Sequence, residues 1–321
     1  MSRISSLFTW SFLFFSSLSF VLAIDRSHFP PHPADPYADP KNDPYNPLRY
    51  IASNVLTAIS FSLVLIVAIS QSVLTWRFGG KYMLAMTIAC YTFAVGLGLR
   101  FGLHAQPESK GIYIAEYLFV VLSPCGFIAA NYVLLGRLSG WMKGDAHLWI
   151  NPRRITLVFV LSDVVTFLIQ AAGGGVSINN DPRIALKGSR IFLAGLVLQL
   201  LSFIIFSILY VRFLWRVRKY EPAIWTRDSG ISWFKDWRSL AGALIISCIG
   251  ILIRSVYRTV ELSQGYHGTL ATSETFFYAL DTLPLFVAIT IFLPFWPGRY
   301  IPDHIPVKDV EESSKEEVEM T

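Results

Sequence analysis

The sequence predicts an all-α integral membrane protein, a bundle of seven transmembrane helices. Of its 321 residues 53% are hydrophobic and only 15% are charged, whereas a soluble domain carries about 25% charged residues. Apolar runs of about 20 residues, the length that a helix needs to cross a bilayer, recur along the chain. The predicted spans lie near residues 51–75, 82–103, 113–136, 155–176, 190–211, 239–260 and 274–296.

The first 23 residues predict a signal peptide. Arg3 precedes an apolar run that begins at Leu7, and the small residue Ala23 follows Val21 and Leu22 at the end of this segment. This order of a basic start, an apolar run and a small residue is typical of secretory signals. An uncleaved signal anchor is the alternative, and in both cases the following segment is delivered to the outer side of the membrane.

Residues 24–49 are rich in proline and contain Asp-Pro pairs that begin at Asp35, Asp39 and Asp43. Such a composition predicts an extended, polyproline-II-like or disordered arm without a hydrophobic core, to which we assign no chemistry. The membrane domain then covers residues 50–297, and an acidic cytosolic tail covers 298–321.

The basic residues indicate how the chain is oriented. With the arm outside, the cytosolic connections and the tail hold 16 Lys and Arg residues, against 7 on the outer side. Cytosolic loops of membrane proteins are enriched in these residues, so we expect the N-terminus outside and the C-terminus inside. The predicted cytosolic loop from Arg212 to Arg238 opens with a basic and aromatic run that favours the lipid interface.

Two neighbouring spans near the C-terminus carry charged residues at helical spacing. Spacings of four and three place Arg254, Arg258 and Glu261 on one face of the sixth span. The same spacing occurs in the seventh span, in Glu274, Tyr278 and Asp281. Charges within membrane helices usually face the bundle interior and pair with one another. We therefore regard these two faces, joined by a short turn that contains Gly265, as the functional centre.

Span four carries a polar face of its own, with Asp163 and Gln170 on it. Glycines 173, 174 and 175 then end the helix or let another backbone approach it, and Gln199 adds an amide from span five. Five carboxylates within the spans outnumber three arginines, so we expect some carboxyl groups to be protonated or to face water. These patterns predict a polar, partly hydrated cavity between spans four, six and seven.

For four charged residues a second interpretation stays open, namely a water-exposed position at the membrane surface. They are Arg100, Glu116, Glu261 and Glu274. Amides such as Gln199 can equally serve only to hold the helices together.

Several classes of function lack their sequence signals. The basic residues lie mainly in loops, so the net charge of +5 does not indicate nucleic-acid binding. The sequence has no Gly-x-x-x-x-Gly-Lys-Ser/Thr phosphate loop and no Gly-x-Ser-x-Gly elbow, and its six histidines lie in loops, in the arm or at span ends. We expect neither an enzyme nor a bound metal or cofactor.

Three long segments resemble the fungal lipid-translocating exporter family, which includes sphingoid long-chain-base and aminocholesterol resistance proteins. They are SDVVTFLIQAAGGG, AGLVLQLLSFIIF and IRSVYRTVELSQGYHGTLATSETFFYALDTLP, and SPCGFIAANYVLLGRL is similar too. The resemblance covers roughly residues 50–297. The matching motif positions are Asp163, Gln170, Gly173, Gly174, Gly175, Gln199, Arg254, Tyr257, Arg258, Glu261, Gly265, Glu274, Tyr278 and Asp281.

This resemblance implies a seven-span fungal protein of the plasma membrane that takes part in efflux or flip of amphipathic lipids and in drug tolerance. The partners are then membrane lipids and an amphipathic substrate, for which a sphingoid long-chain base fits. Its amine needs a carboxylate, which Asp163 or Asp281 can supply. Arg254 and Arg258 then keep the carboxylates ionised or receive a phosphate-bearing head. A seven-helix lipid sensor or receptor, or a regulator of another exporter, is the alternative function.

Overall fold

The computed structural model describes residues 35–43, 45–142, 152–177, 181–227, 234, 236–265 and 268–301. The predicted signal peptide, the first part of the arm and the tail after residue 301 lie outside the described residues, so these predictions stay predictions.

The described part of the chain is helical and contains no β-strand. The elements before the last two spans are α1 (Asn54–Phe78), a 3₁₀ turn (Lys81–Met83), α2 (Leu84–Ala105), α3 (Lys110–Trp141), α4 (Pro152–Ser177), α5 (Pro182–Tyr220) and a short α6 (Pro222–Thr226). The long helix α7 (Trp237–Ser263) follows. After α7 come α8 (Glu274–Phe276), a π-helical turn (Phe277–Thr282) and α9 (Leu283–Thr290), which run on without a break and together are called the C-terminal helix. A second 3₁₀ turn (Pro297–Arg299) follows.

Six of these helices are long and apolar enough to cross a bilayer. They are α1, α2 with its 3₁₀ turn, α3, α4, α5 and α7. The chain is therefore a multi-pass, all-α membrane protein. The C-terminal helix is shorter than these six and lies where the sequence predicts the seventh span.

Two helices extend well beyond their predicted spans. Helix α5 continues from the bilayer-length run through the basic and aromatic segment to Tyr220, so the predicted loop that begins at Arg212 is wrong in its first part. Helix α3 runs from Lys110 to Trp141 rather than from 113 to 136. Hydropathy measures the apolar stretch that matches the bilayer, and it does not detect helix that continues into polar surroundings.

The outer surface of the bundle is apolar where lipid would contact it. Side chains such as Val55 and Ile66 of α1, Val165 of α4 and Ile208 of α5 are exposed. The interior is filled by aromatic and aliphatic side chains, including Tyr132, whose ring lies 4.4 Å from that of Phe206. A bundle that is apolar both inside and outside is the expected arrangement in a membrane.

The end of the arm folds into turns, which corrects the prediction of an extended arm for residues 35–43 and 45–49. Asp and Asn side chains there accept hydrogen bonds from the backbone two residues further on, as Asp43 does from the N–H of Tyr45 at 2.8 Å. Such Asx turns fold the chain locally. The hydroxyl of Tyr37 donates to the carbonyl of His104 at the end of α2, so this segment packs on the bundle.

Helices α4 and α5 approach each other at glycines. A Cβ atom on Gly173 would lie 2.4 Å from the backbone nitrogen of Phe192, and one on Gly188 would lie 2.4 Å from that of Ser177. Small residues allow this backbone-to-backbone packing, which is common between membrane helices. Gly175 has open space at the corresponding position, so only part of the triple-glycine motif is needed for the contact.

Candidate functional site

The charged faces of α7 and the C-terminal helix meet because Gly250 allows a close approach. A Cβ atom there would lie 2.4 Å from the carbonyl oxygen of Pro284. Arg254 and Arg258 lie one and two helical turns further along the same face of α7. The contact therefore brings both guanidinium groups to the level of Asp281.

Pro284 has no N–H, so it cannot donate to the carbonyl of Leu280, four residues earlier. The π-helical turn Phe277–Thr282 comes directly before this break in the α-helical pattern. A π-helical turn is wider than an α-helical one and changes the direction in which successive side chains point. Asp281 lies within it and is fully buried.

Asp281 is shared by the two arginines of α7. Arg258 binds it through two hydrogen bonds, from Nε to Oδ1 at 2.8 Å and from one Nη to Oδ2 at 2.9 Å. The Nε of Arg254 also lies 2.8 Å from Oδ1, but its direction does not suit a hydrogen bond, so this contact is mainly Coulombic. Arg254 instead donates from Nη2 to the carbonyl of Val120 on α3, at 2.7 Å. We call these residues the Asp281 cluster.

The other predicted residues at this end of α7 have separate roles. Glu261 accepts a hydrogen bond from Arg258 at 2.9 Å and keeps part of its side chain exposed. The hydroxyl of Tyr257 donates to the carbonyl of Leu270 and so ties the helix to the turn that follows. Gly265 ends α7 with a φ of 75°, the left-handed conformation that glycine adopts without strain.

A second buried cluster surrounds Arg100 of α2. Its guanidinium lies 3.2 Å from Glu116 of α3 and 3.4 Å from Glu274 of α8, and it stacks 4.2 Å from the ring centre of Phe277. It also donates to the hydroxyl oxygen of Tyr50 at 3.0 Å. Arg100 and Glu116 are 1% and 3% exposed, so a water-exposed position at the surface is wrong for both. These residues form the Arg100 cluster.

Glu274, Tyr278 and Asp281 do not serve one partner, although the sequence predicts one face for them. Glu274 accepts from the backbone N–H of Ser53 at 2.8 Å, and the hydroxyls of Tyr278 and Thr57 lie 3.1 Å apart. Both residues thus face α1 and Arg100, whereas Asp281 faces α7. The π-helical turn separates them because it breaks the 3.6-residue period on which the prediction rested.

Tyr50 was missed by the sequence analysis, which assigned no chemistry to the arm and its end. Burial raises the pKa of its phenol, against the opposing effect of the Arg100 charge. The phenol therefore stays neutral and accepts a hydrogen bond from Arg100. An aromatic residue beside the start of a span is common at membrane interfaces, so its type alone does not indicate this role.

Asp163 lies in a different part of the bundle and is paired with no arginine among the described residues. It is 6% exposed, and neither carboxylate oxygen has a hydrogen-bond partner in the described part of the chain. Its neighbour is the hydroxyl of Tyr132 on α3. Gln170 lies two helical turns from Asp163 on α4. It donates a hydrogen bond to Gln199 of α5 at 2.8 Å, which joins α4 to α5.

Two small cavities lie beside the arginines. The mid-bundle cavity, of about 20 Å³, lies between α3, α5 and α7 and is lined by Tyr117, Val121, Pro124, Ile128, Leu196, Gln199, Leu200, Arg254, Ser255 and Arg258. The arm-side cavity, of about 40 Å³, is lined by Pro47, Leu48, Tyr50, Arg100, Tyr113, Glu116, Tyr117, Arg258, Glu261, Ala271 and Phe277. Each has room for one to a few water molecules.

The position of these cavities differs from the prediction of one cavity between spans four, six and seven. Asp163 and Asp281 line neither of them. The mid-bundle cavity is lined by spans three, five and six. The arm-side cavity is lined by the end of the arm and by spans two, three, six and seven, so span four lines neither. No group of three His, Cys, Asp or Glu side chains suited to a metal ion occurs within the described residues.

A family model described as RTA1 like protein matches residues 86–304, more than half of the chain. The chain belongs to this family. The resemblance of its segments to fungal lipid exporters is thereby confirmed. The matched region includes both arginine clusters except Tyr50, and it includes Asp163.

The relatives of this RTA1-like protein include several from Saccharomyces cerevisiae. Protein RTA1 is 32% identical over 224 residues, which cover 70% of this chain and 68% of the relative. Protoporphyrin uptake protein 1 is 31% identical over 203 residues, covering 63% and 64%. Sphingoid long-chain base transporter RSB1 is 24% identical over 282 residues, covering 72% and 73%. No solved structure matches the chain significantly. The family and the apolar helices support a role in membrane transport.

Proposed function

We propose that this protein moves amphipathic lipids with a cationic head group, such as sphingoid long-chain bases, across the plasma membrane. Its action contributes to efflux and to resistance against toxic compounds, and it involves neither enzymatic chemistry nor a cofactor. The C-terminal helix acts as the seventh span, with the N-terminus outside and the C-terminus inside. The distribution of 16 against 7 basic residues supports this orientation.

The observation that carries the proposal is the unpaired carboxylate of Asp163. A buried carboxylate without a partner is unstable by several kcal/mol, so it binds a proton or another cation. Among the described residues neither oxygen meets the geometry of a hydrogen bond, and the adjacent group is the hydroxyl of Tyr132, so the carboxylate can still take an ammonium head group as its charged partner. The alkyl chain of such a ligand can stay in contact with lipid.

Asp281, the other candidate for binding the amine, is less suited to this role. Its two oxygens are held by Arg258, and Arg254 lies beside them. An incoming amine would have to displace an arginine from a site that is fully buried. We therefore assign the Asp281 cluster to the framework that holds α7, α3 and the C-terminal helix in place.

The amides of Gln170 and Gln199 provide the polar connection from α4 towards the arginines. Gln170 lies two helical turns from Asp163 on α4, and Gln199 lines the mid-bundle cavity. A head group can pass along these amides towards the mid-bundle cavity. The names of two relatives, a long-chain base transporter and a protoporphyrin uptake protein, agree with transport of an amphiphile.

The proposal is tested by reconstituting the full chain in lipid vesicles and following a fluorescent long-chain base between leaflets. We expect movement with the unaltered chain and a loss of about tenfold or more in Asp163→Asn, since the neutral amide cannot balance the ammonium charge. The matched control is Asp181→Asn, because Asp181 caps α5 at the surface and asparagine caps a helix equally well.

Equal rates for Asp163→Asn and the unaltered chain would contradict the role of Asp163. No movement by the bare protein, together with lipid-dependent binding of a partner protein, would contradict transport and favour a sensor. Coupling to protons is detected in the same vesicles by a pH-sensitive dye in the lumen.

A further inference from the structure

We propose that the arm-side cavity is a binding site for the ammonium group of an amphipathic cation, separate from Asp163. This inference rests on the proposed function and deepens it, because it adds a second position for the same head group. It also assigns a role to the end of the arm, which contributes Pro47, Leu48 and Tyr50 to the cavity wall.

The walls of the cavity are aromatic. Tyr50, Tyr113, Tyr117 and Phe277 all line it, and the rings of Tyr113 and Tyr117 stack with their centres 6.1 Å apart. Organic ammonium groups bind to the faces of aromatic rings, and cages of several rings are the usual way in which proteins recognise them. These rings already have cationic partners within the protein, since the guanidinium of Arg100 lies 4.2 Å from the ring centre of Phe277 and that of Arg258 lies 5.8 Å from that of Tyr117. The aromatic lining is therefore suited to a further organic cation rather than to a neutral ligand.

The cavity is lined by two arginines and two glutamates, and the most exposed of these four side chains is a carboxylate. The side chain of Glu261 is 16% exposed, whereas those of Arg100 and Arg258 are 1% and 6% exposed. Arg258 is held by two hydrogen bonds to Asp281 and one to Glu261, and the guanidinium of Arg100 lies 4.2 Å from the ring centre of Phe277. Because Glu261 has the most exposed charged side chain in the lining, the cavity favours a cationic head group over an anionic one.

The two clusters together carry an excess of negative charge. Together with Glu261, which pairs with Arg258, they contain three arginines, residues 100, 254 and 258, and four carboxylates, Glu116, Glu261, Glu274 and Asp281. Charges within a membrane protein are most stable when they balance. One bound ammonium group beside Glu261 completes this balance.

The size of the cavity restricts what it can hold. A volume of about 40 Å³ accepts an ammonium group with a few water molecules but not an alkyl chain. The alkyl chain of the ligand must therefore lie outside this volume, and Pro47 and Leu48 in the lining offer apolar contact to its first carbons.

Tyr117 and Arg258 belong to the linings of both cavities, and the guanidinium of Arg258 lies 5.8 Å from the centre of the Tyr117 ring. These two side chains separate the arm-side cavity from the mid-bundle cavity. A head group that passes from one cavity to the other must move past the ring of Tyr117, so the proposed site lies on a route into the bundle.

The test measures binding of n-butylammonium to the full chain in lipid nanodiscs by isothermal titration calorimetry. All measurements are made with the Asp163→Asn chain, so that the arm-side cavity is examined separately from Asp163. We expect saturable binding of n-butylammonium and none of n-butanol or n-butyl phosphate. Glu261→Gln should weaken binding about tenfold, as expected for the loss of one charged partner at a partly buried site.

Two further variants keep the test independent of folding. Tyr113→Leu makes no change to the ion pairs described above and should weaken binding about threefold by removing one aromatic face. Glu221→Gln removes a carboxylate at the opposite end of the bundle and should leave binding unchanged.

Absence of saturable n-butylammonium binding, equal affinity in Glu261→Gln, or preferential binding of n-butyl phosphate would each overturn the proposal. Because binding is measured without transport, its failure leaves the vesicle experiment on Asp163 intact. Conversely, binding in the absence of lipid movement would support this site while contradicting the proposed function.

Discussion

The α7 side and the α4 side of the bundle each contain a buried aspartate, but the two aspartates differ in their charged partners. Asp281 is 0% exposed and lies against two arginines, whereas Asp163 is 6% exposed and has no charged partner among the described residues. A paired buried charge stabilises a fixed arrangement of helices, while an unpaired one needs a ligand or a proton. This contrast is the basis of our proposal that the Asp281 cluster holds the helices together and that Asp163 binds the ammonium head group.

The largest expected effect distinguishes these two aspartates. Asp281→Ala leaves two arginines buried without a carboxylate and should lower the free energy of unfolding by about 4 kcal/mol. Asp163→Ala removes a carboxylate that has no partner and should change it by less than about 1 kcal/mol or increase it. Thermal unfolding of the purified variants in the same detergent measures both. Equal losses in the two variants would remove the distinction.

Glycine contacts on the α4 side provide the next comparison. Gly173→Ala places a methyl group 2.4 Å from the backbone of Phe192, so α4 and α5 must separate, with a loss of about 2 kcal/mol. Gly175→Ala is the matched control, because nothing lies within 4 Å of its added methyl group. It should be neutral or slightly stabilising, since alanine favours a helix. A loss in both variants would indicate helix geometry rather than packing.

Two ion pairs in the Arg100 cluster show whether burial determines how much an ion pair contributes to the free energy of unfolding. Glu116 and Glu274 contact the same guanidinium at 3.2 and 3.4 Å, but their side chains are 4% and 18% exposed. Glu116→Gln should therefore lower the free energy of unfolding by about 2 kcal/mol, and Glu274→Gln by about half of that. The reverse order, measured by unfolding in detergent, would show that the contact of Glu274 with Ser53 dominates.

The smallest effect is expected at the start of α7, where Asp236 caps the helix. Burial opposes ionisation of this carboxyl, but hydrogen bonds and charge from Arg238 hold its pKa below the usual value. The stabilisation from the ionised form is complete above the unfolded pKa, about 3.9, and is lost as the pH falls through the lower folded value. Asp236→Ala should cost about 1 kcal/mol at neutral pH, through loss of the cap to Arg238 N–H.

Asp236→Asn retains the cap and serves as the control for that loss. It should be within about 0.5 kcal/mol of the unaltered chain at pH 7, because the pair with Arg238 is partly exposed. A large loss in Asp236→Asn would mean that the charge, and not the hydrogen bond, stabilises the helix end.

Sequence reasoning correctly predicted the charged face of α7, but it did not predict which partners the polar residues of the C-terminal helix contact. Helical spacing correctly placed Arg254 and Arg258 on one face of α7, and both contact Asp281. The same spacing failed for Glu274 and Tyr278, because a π-helical turn interrupts the period between them and Asp281. Composition also gave no sign that Asx turns would fold the end of the arm onto the bundle, with Tyr50 beside Arg100.

The sequence by itself determined that this is a multi-pass helical membrane protein of the RTA1-like family, since apolar length, charge spacing and motif residues are local properties of the chain. Only the tertiary structure decided that Asp281 is paired with arginines, while Asp163 has no charged partner among the described residues. That outcome depends on which helices approach closely, and the contact of Gly250 with Pro284 brings the arginines to one aspartate and leaves the other without them.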